Sequence, residues 1–356
     1  MTLEELQEEI QPADQDVVRL SKERWMKVGK PLFSLGKLEQ QITRIAGIKR
    51  IACYEIKKKA LVVMCADNGV VAEGVTQTGQ EVTAAVVSNM TRGRSCSCLM
   101  AVKAETDVFP IDMGIACEVE HRGELYPLTE RKIRRGTSNF TKAAAMTRQE
   151  ALTAILTGID AVRVLKEQGY RLSAVGEMGI GNTTTSSAVA SVLLQKDPEL
   201  VTGAGAGLDS AGLKRKTEAI RRGIGLHHPD PMDGMEVLQK VGGFDLAAMA
   251  GAFLGGAIYH VPVVIDGVIA AAAAAAAGRI APAATDYMLA AHVSAEPASI
   301  WLLDLIGVTP AIQAGLRLGE GTGALALFPL LDMALSIYRD MDTFAEMEIE
   351  EYKPLV

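Results

Sequence analysis

The chain has 356 residues and a formal net charge of −7, and 49% of its residues are apolar. This length and apolar content can bury a large core, in one large domain or two of modest size. Proteins that bind nucleic acids or anionic membranes usually have a positively charged surface. This chain is acidic, so neither partner is expected.

Cysteine usage and the first residues indicate a reducing compartment. The five cysteines are odd in number and lack the spacing of zinc sites. Glu4 and Glu5 stand where a signal peptide has its basic start. The longest apolar stretch, 261–277, contains Asp266 and consists mainly of alanine, which is too weakly apolar and too short for a membrane span. We therefore expect a cytoplasmic protein.

The pattern along the chain predicts an α/β fold. Residues 1–50 place apolar side chains at helical spacing, with breaks at proline and glycine, which predicts two or three helices. From residue 60 onward, short β-rich segments alternate with longer helical patterns, as in a parallel sheet covered by helices on both faces. The predicted strands are 61–66, 106–111, 172–175 and 261–265.

Three helices in the second half of the chain have clear boundary signals. The capping box at 147–150 starts one that ends at Gly169. Asp209 is the predicted N-cap of a second. Residues 325–341 predict a last long helix, interrupted early by Pro329.

A glycine-rich segment at 175–187, VGEMGIGNTTTSS, follows a predicted strand and opens a helix. Glycines let the backbone approach a ligand, and the free amides of a helix start favour a phosphate. Glu177 would repel that phosphate unless it serves another part of the ligand, such as sugar hydroxyls. The spacing fits neither the dinucleotide fingerprint nor the Walker lysine loop. A strand-to-helix turn without a ligand is the alternative.

Two further features have the chemistry of a site. Glu320 stands between glycines just before an apolar helix, where a substrate can approach its carboxylate; a helix-start acid that complements the dipole is the alternative. A second loop, 203–207, alternates glycine and alanine, and Lys216 follows it on the next predicted helix. This lysine could supply a point charge for a phosphate, or it could be a surface lysine.

Several blocks in one order closely resemble the nicotinate-nucleotide:dimethylbenzimidazole phosphoribosyltransferase family. The resemblance extends over nearly the whole chain. The blocks are GEMGIGNTT at 176–184, KVGGFDL at 240–246, PVVIDG at 262–267, SAE at 294–296 and RLGEGTG at 317–323, with SLGKLE at 34–39 and ADNGV at 66–70 nearer the start.

The resemblance implies a doubly wound, mostly parallel, Rossmann-like sheet in a large catalytic domain of about 51–330. A small helical domain would come from both chain ends, 1–50 and about 330–356. The implied reaction moves the 5-phosphoribosyl group of nicotinate mononucleotide to an aromatic base, 5,6-dimethylbenzimidazole or a related azole, to make the lower-ligand nucleotide of cobalamin. No metal or other cofactor is implied. The implied partner is a second copy of the chain, or a paralogue in a heterodimer.

The resemblance also assigns roles by position. Glu320 matches the general base and Glu177 a second catalytic acid. The residues implied to bind phosphate, ribose and nicotinate are Gly179, Gly181, Asn182, Thr183, Gly203, Gly205, Lys216, Asp266 and Ser294. The implied acceptor pocket consists of Thr78, Val86, Met178 and Leu318.

The acceptor pocket departs from the pattern of well-known members. Val86 stands where benzimidazole-using relatives can have a polar glutamine, and a DHG-like block reads Asp67-Asn68-Gly69. An apolar, sulfur-lined pocket suits aromatic rings broadly. Some relatives activate phenol or p-cresol instead, so the identity of the acceptor stays open.

Two other functions are alternatives to this one. A non-catalytic, nucleotide-binding subunit would have lost the base or the phosphate loop, and the sequence has both. Another pentosyltransferase or a nucleoside hydrolase is the second alternative. Such hydrolases commonly display an aspartate cluster for calcium, and no such run occurs in the sequence.

Overall fold

A computed structural model of the chain describes residues 3–120 and 125–353. Its described strands form one parallel six-stranded sheet in the order β3-β2-β1-β4-β5-β6. The strands are β1 (Lys59–Ala66), β2 (Thr106–Gly114), β3 (Thr129–Glu130), β4 (Leu172–Met178), β5 (Val263–Ile265) and β6 (Met288–Ala290). Strand order reverses between β1 and β4, and ligands of open α/β sheets bind in the crevice at such a point.

Helices cover both faces of this sheet, which confirms the predicted doubly wound α/β class. Two 3₁₀ segments, Gly69–Glu73 and Pro282–Tyr287, complete the described elements. The helices are α1 (Leu3–Glu9), α2 (Gln15–Lys27), α3 (Lys37–Lys49), α4 (Glu81–Thr91), α5 (Cys96–Lys103), α6 (Arg148–Glu167), α7 (Asn182–Leu194), α8 (Pro198–Val201), α9 (Ser210–His227), α10 (Gly234–Val241), α11 (Phe244–Tyr259), α12 (Val268–Ile280), α13 (Ser299–Ile306) and α14 (Thr322–Asp340).

Strand β1 shows how the two layers form. Its alternate side chains belong to two separate buried clusters, with Val62 and Met64 in one and Leu61 and Val63 in the other. Successive side chains of a strand point to opposite faces, so β1 is covered on both sides, as parallel strands usually are. The first cluster includes side chains of α6, α11 and α12, and the second includes side chains of α3, α5 and α14.

All four predicted strands occur, with ends that differ from the prediction by up to three residues: β2 ends at Gly114 rather than at 111, and β4 ends at Met178 rather than at 175. Strand β5 begins at Val263 rather than at Val261, and strands β3 and β6 were not predicted. The prediction that Pro329 interrupts the last helix is wrong, because α14 is continuous through it. An interior proline costs about 3 kcal/mol. The burial of Phe328 and Leu331 in the core offsets that cost.

The two chain ends contact each other beside the second cluster. The guanidinium of Arg24 donates to the carbonyls of Tyr338 (2.8 Å) and Arg339 (2.9 Å). Val28 forms an isolated antiparallel bridge with Thr343. These contacts join the segments that were predicted to form the small helical domain. The boundary between the two domains stays a prediction, and residues 1–2 and 354–356 of the small domain lie outside the described residues.

None of the described helices is long and apolar enough to cross a bilayer.

Candidate active site

A cavity of about 290 Å³ lies at the carboxyl ends of β4 and β5. Four segments contribute most of its wall: the β4–α7 turn, the β5–α12 turn, the loop after β6, and the loop before α14. Predicted site residues that line it are Val86, Glu177, Met178, Gly179, Asn182, Thr183, Gly205, Asp266, Ser294, Leu318 and Glu320.

The β4–α7 turn has the strand, glycine turn and helix start that the sequence predicts. Gly179 lies so close to β1 that an added Cβ would stand 1.9 Å from the carbonyl oxygen of Ala66. Gly181 is the N-cap of α7 and has a φ of 97°, a backbone conformation that residues other than glycine rarely adopt. The first amides of α7 therefore begin at the cavity, at Asn182 and Thr183.

Two buried polar side chains, Asp67 and Thr83, connect this turn to the rest of the protein through hydrogen bonds. The carboxylate of Asp67 accepts from the Thr83 hydroxyl (2.6 Å), and the Thr83 hydroxyl accepts from the Ile180 amide (3.0 Å). Burial raises the pKa of Asp67 to about 6, against the hydrogen bonds it accepts from Ala116 and Thr83. Thr83 was not predicted to act here, because it lies 97 residues from Ile180 in the chain.

The loop that bears Glu320 is strained. Gly319, Glu320 and Gly321 have φ values of 89°, 56° and 81°, all in the left-handed region. For Glu320 such a conformation costs about 1–3 kcal/mol and persists only where its surroundings fix it. Part of that support is Asp266, whose carboxylate accepts from the amides of Gly321 (3.2 Å), Gly323 (2.6 Å) and Ala324 (3.1 Å).

The carboxylate of Glu320 hydrogen-bonds to α5, not to the helix that follows it. Its Oε2 accepts from the Ser97 hydroxyl (2.9 Å) and from the Ser97 amide (3.3 Å). The first amides of α14 are taken by Asp266 instead. Among the described residues, Glu320 accepts no hydrogen bond from α14, and the one amide that donates to its carboxylate lies at the start of α5.

Glu177 lies beside the Glu320 loop in a buried, acidic environment. An added Cβ at Gly319 would stand 2.5 Å from Glu177 Oε1, and the Asn182 side-chain amide donates to Oε2. Burial raises the pKa of Glu177 well above its usual range, and the charges of Asp245, Asp266 and Glu320 raise it further. The protonated form, which can donate a hydrogen bond, is thereby favoured.

Lys216 is fully buried, so the alternative of a surface lysine is wrong. Its ammonium donates to the hydroxyl of Thr183 (3.0 Å) and to the carbonyl of Gly203 (3.0 Å). An added Cβ at Gly205 would stand 3.4 Å from it, so the lysine lies directly behind the glycine loop. Burial lowers the pKa of Lys216 to about 8, opposed by the charge of Glu296.

Some predicted residues lie outside the cavity wall. Of the described residues predicted for the site, Thr78, Gly181, Gly203 and Lys216 do not line the cavity. Thr78 is exposed, and Gly203 and Lys216 stand behind Thr183 and Gly205.

Three polar wall residues were not predicted: His292, Glu296 and Arg317. His292 is buried, and its Nε2 lies 3.9 Å from Asp266 Oδ1. Glu296 accepts from the Gly205 amide (3.2 Å). Glu296 and Arg317 belong to the family-like blocks SAE at 294–296 and RLGEGTG at 317–323, and this membership could have identified them.

The described residues contain no group of three or more His, Cys, Asp or Glu side chains arranged to hold a metal ion. The polar side chains that line the cavity include four acids, Glu177, Asp266, Glu296 and Glu320, together with His292 and Arg317.

Comparisons with known proteins agree with this geometry. A family model described as "Phosphoribosyltransferase" matches residues 10–349. The chain is 43% identical over 355 residues, all of both chains, to the nicotinate-nucleotide–dimethylbenzimidazole phosphoribosyltransferase of Ruminiclostridium cellulolyticum. It is 42% identical over the same extent to that of Clostridium acetobutylicum.

A solved structure gives the same result. The crystal structure of CobT from Thermus thermophilus superposes with a TM-score of 0.89 at 39% identity, over 95% of this chain and 100% of that one. Identity of this order over the full length shows shared descent and not the fold alone. The chain belongs to the nicotinate-nucleotide–dimethylbenzimidazole phosphoribosyltransferase family and is a transferase.

Proposed function

We propose that the chain transfers the 5-phosphoribosyl group of nicotinate mononucleotide to an aromatic lower-ligand base and thereby acts in cobalamin biosynthesis. The products are nicotinate and an α-ribazole-phosphate type of nucleotide. The observation that supports this most directly is the pairing, in one cavity, of a glycine-flanked glutamate with a lysine-backed glycine loop. The names of the relatives supply the two substrates.

The 5′-phosphate would bind where the start of α7 meets the loop at 203–207. Thr183 and Gly205 line the cavity there, and Lys216 stands immediately behind both. Helix-start amides and a cation are the usual donors to a phosphate. Binding this remote group fixes the position of the reacting carbon, C1′ of the ribose.

The ribose would then lie near Glu177. A carboxyl group that keeps its proton can donate to a ribose hydroxyl without repelling the phosphate beside it. Asn182 and Ser294 also line this part of the cavity, as does the Asp266 carboxylate that supports the Glu320 loop. The acceptor ring would contact the apolar part of the wall, formed by Val86, Met178 and Leu318.

Glu320 would act as general base. One nitrogen of the azole attacks C1′ and forms the new C–N bond, while the N–H proton of its other nitrogen passes to the Glu320 carboxylate. The bond from C1′ to nicotinate breaks, and its electron pair neutralises the positive ring nitrogen, so the leaving group needs no acid. Attack from the opposite side inverts C1′ and gives the α-nucleotide. Proton removal of this kind contributes typically 10²–10⁴-fold.

A panel of acceptors tests this function. Nicotinate mononucleotide is incubated with 5,6-dimethylbenzimidazole, benzimidazole, adenine, phenol or p-cresol, and the masses of the products are measured. Nicotinate is expected to appear only with an acceptor. The members of the panel that yield a nucleotide identify the acceptor class, including the phenol alternative. Rapid release of nicotinate without any acceptor would contradict transfer and favour a hydrolase.

Assembly and location are part of the proposal. We propose a homodimer, or a heterodimer with a paralogue, in the cytoplasm. Size-exclusion chromatography with light scattering checks the first point, and a monomer at micromolar concentration would contradict it.

A further inference from the structure

The carboxylate of the proposed base, Glu320, accepts hydrogen bonds from α5. The sequence predicted no functional residue on this helix. Ser97, the second residue of α5, is fully buried, and its hydroxyl and its amide both donate to Glu320 Oε2. No hydrogen bond reaches the other carboxylate oxygen, Oε1, from residues 3–120 or 125–353. One oxygen of the carboxylate is therefore engaged, and the other is free to take a proton.

The direction of the hydrogen bonds follows from the donors available. An ionised carboxylate only accepts, so the single proton of the Ser97 hydroxyl points to Glu320. Ser95 Oγ lies 2.7 Å from Ser97 Oγ and must then donate to it, while Ser95 itself accepts from the Cys98 amide (3.2 Å). The result is a directed chain from a backbone amide through two hydroxyls to Glu320. Each hydroxyl in such a chain polarises the next.

This chain fixes the part of Glu320 that the backbone contacts leave free. Asp266 holds the amides after Glu320, which determines the path of the main chain. The side chain still has three rotatable bonds between its backbone and its carboxylate. The two hydrogen bonds from Ser97 to Oε2 restrict rotation about these three side-chain bonds. They thereby also fix the direction in which Oε1 points.

We infer that Ser97 is a positioning residue for the reaction, which fixes the Glu320 carboxylate so that Oε1 receives the proton of the acceptor. This inference rests on the proposed function, in which Glu320 is the base. It assigns to α5 a role in the acceptor half of the reaction and none in binding the donor.

The test compares Ser97→Ala with Ser97→Thr in steady-state kinetics with a benzimidazole acceptor. Ser97→Ala should lower kcat about tenfold, the usual effect of losing hydrogen bonds to a charged group, and leave the KM for nicotinate mononucleotide within about twofold. Ser97→Thr retains the hydroxyl and should recover most of the loss. Thermal unfolding of each variant shows that it is folded.

A control variant removes another buried hydroxyl, on the helix that precedes α5. Ser88 on α4 donates to the Glu120 carbonyl (2.6 Å) and does not contact Glu320 among the described residues. Ser88→Ala should therefore leave kcat within about twofold of the wild type. A loss like that of Ser97→Ala would show that the effect is one of general packing and would overturn the inference.

A double-variant cycle separates the inference from the function on which it rests. If Ser97 acts through the carboxylate, Ser97→Ala should have little further effect on kcat once Glu320→Gln is present. Equal losses in both backgrounds would overturn the inference. If Glu320→Gln is impaired but Ser97→Ala is not, the inference fails and the proposed base stands. If Glu320→Gln keeps full turnover, both fail.

Discussion

The carbonyl carbon of Glu320 lies against Gly176 so closely that a Cβ added to Gly176 would stand 2.6 Å from it. Gly176 is inside β4, where a glycine weakens a strand unless another backbone must come close. Here that backbone belongs to the proposed base. Strand β4 therefore positions both acids: Glu177 directly, as its own residue, and Glu320 through the contact at Gly176.

Gly176→Ala should displace the Glu320 loop. We expect kcat to fall at least about tenfold and the free energy of unfolding to fall by about 1–3 kcal/mol, as for other overpacked sites. Gly225→Ala is the matched control, because an added Cβ there meets nothing within 4 Å. Urea unfolding and initial rates measure both. Unchanged rates in Gly176→Ala would show that the loop does not need its present position.

Lys216→Met should raise the KM for nicotinate mononucleotide roughly 10- to 100-fold. The substitution removes the buried ammonium beside the proposed 5′-phosphate site and keeps a side chain of similar volume. The KM for the acceptor should change much less. Lys214→Ala, an exposed neighbour on α9, is the control and should leave both constants alone. Unchanged donor kinetics in Lys216→Met would place the phosphate elsewhere.

The donor KM should also depend on pH. Lys216 has a pKa lowered to about 8 by burial, so the unliganded enzyme loses this charge as the pH rises through that value. In the wild type the donor KM should rise above about pH 8, by up to about tenfold per pH unit. In Lys216→Met that rise should be absent. A variant with the same pH profile as the wild type would assign the effect to another group.

Asp245→Asn should stabilise the protein at high pH. Burial raises the pKa of Asp245 to about 7, so between about pH 4 and 7 the folded state binds a proton that the unfolded state has released. Its contribution to stability is therefore complete below about pH 4 and is lost as the pH rises through 7. Asparagine cannot ionise, and its amide can donate to Asn68 Oδ1, which has no partner among the described residues.

Urea unfolding at pH 5 and pH 8 measures this effect. The stability of Asp245→Asn relative to the wild type should be higher at pH 8 by about 2–3 kcal/mol. Asp304→Asn, at an exposed site, is the control. A relative stability that does not change with pH would mean that Asp245 is ionised in the folded protein throughout this range.

Local patterns were sufficient for the parts of the fold that local interactions determine. The apolar runs of β1 and β4 and the capping box of α6, where Thr147 and Glu150 hydrogen-bond to each other's amides, are visible in a few consecutive residues. Strands β3 and β6 have two and three residues, and pairing with a neighbouring strand forms them. A window of sequence that short has no period from which to predict a strand.

Some site residues could likewise be predicted from local sequence, and others could not. Glu177 and Glu320 could be singled out because each stands in a glycine-rich segment of its own. The burial of Lys216 and the contact between Ser97 and Glu320 depend on packing between distant segments, and Ser97 and Glu320 are 223 residues apart. The strain at Glu320 could not be predicted, since nothing in the pattern GEG requires a left-handed glutamate.

The turnover of Glu320→Gln with benzimidazole at neutral pH tests the central claim most directly. Glutamine keeps the shape and can still accept from Ser97, but it cannot take the proton of the acceptor. We expect kcat to fall about 10²-fold or more while nicotinate mononucleotide still binds. A phenol acceptor is partly ionised at alkaline pH, so the rate of its reaction should depend less on Glu320 as the pH rises. Near wild-type turnover in Glu320→Gln would contradict the assignment of the base and direct attention to Glu177.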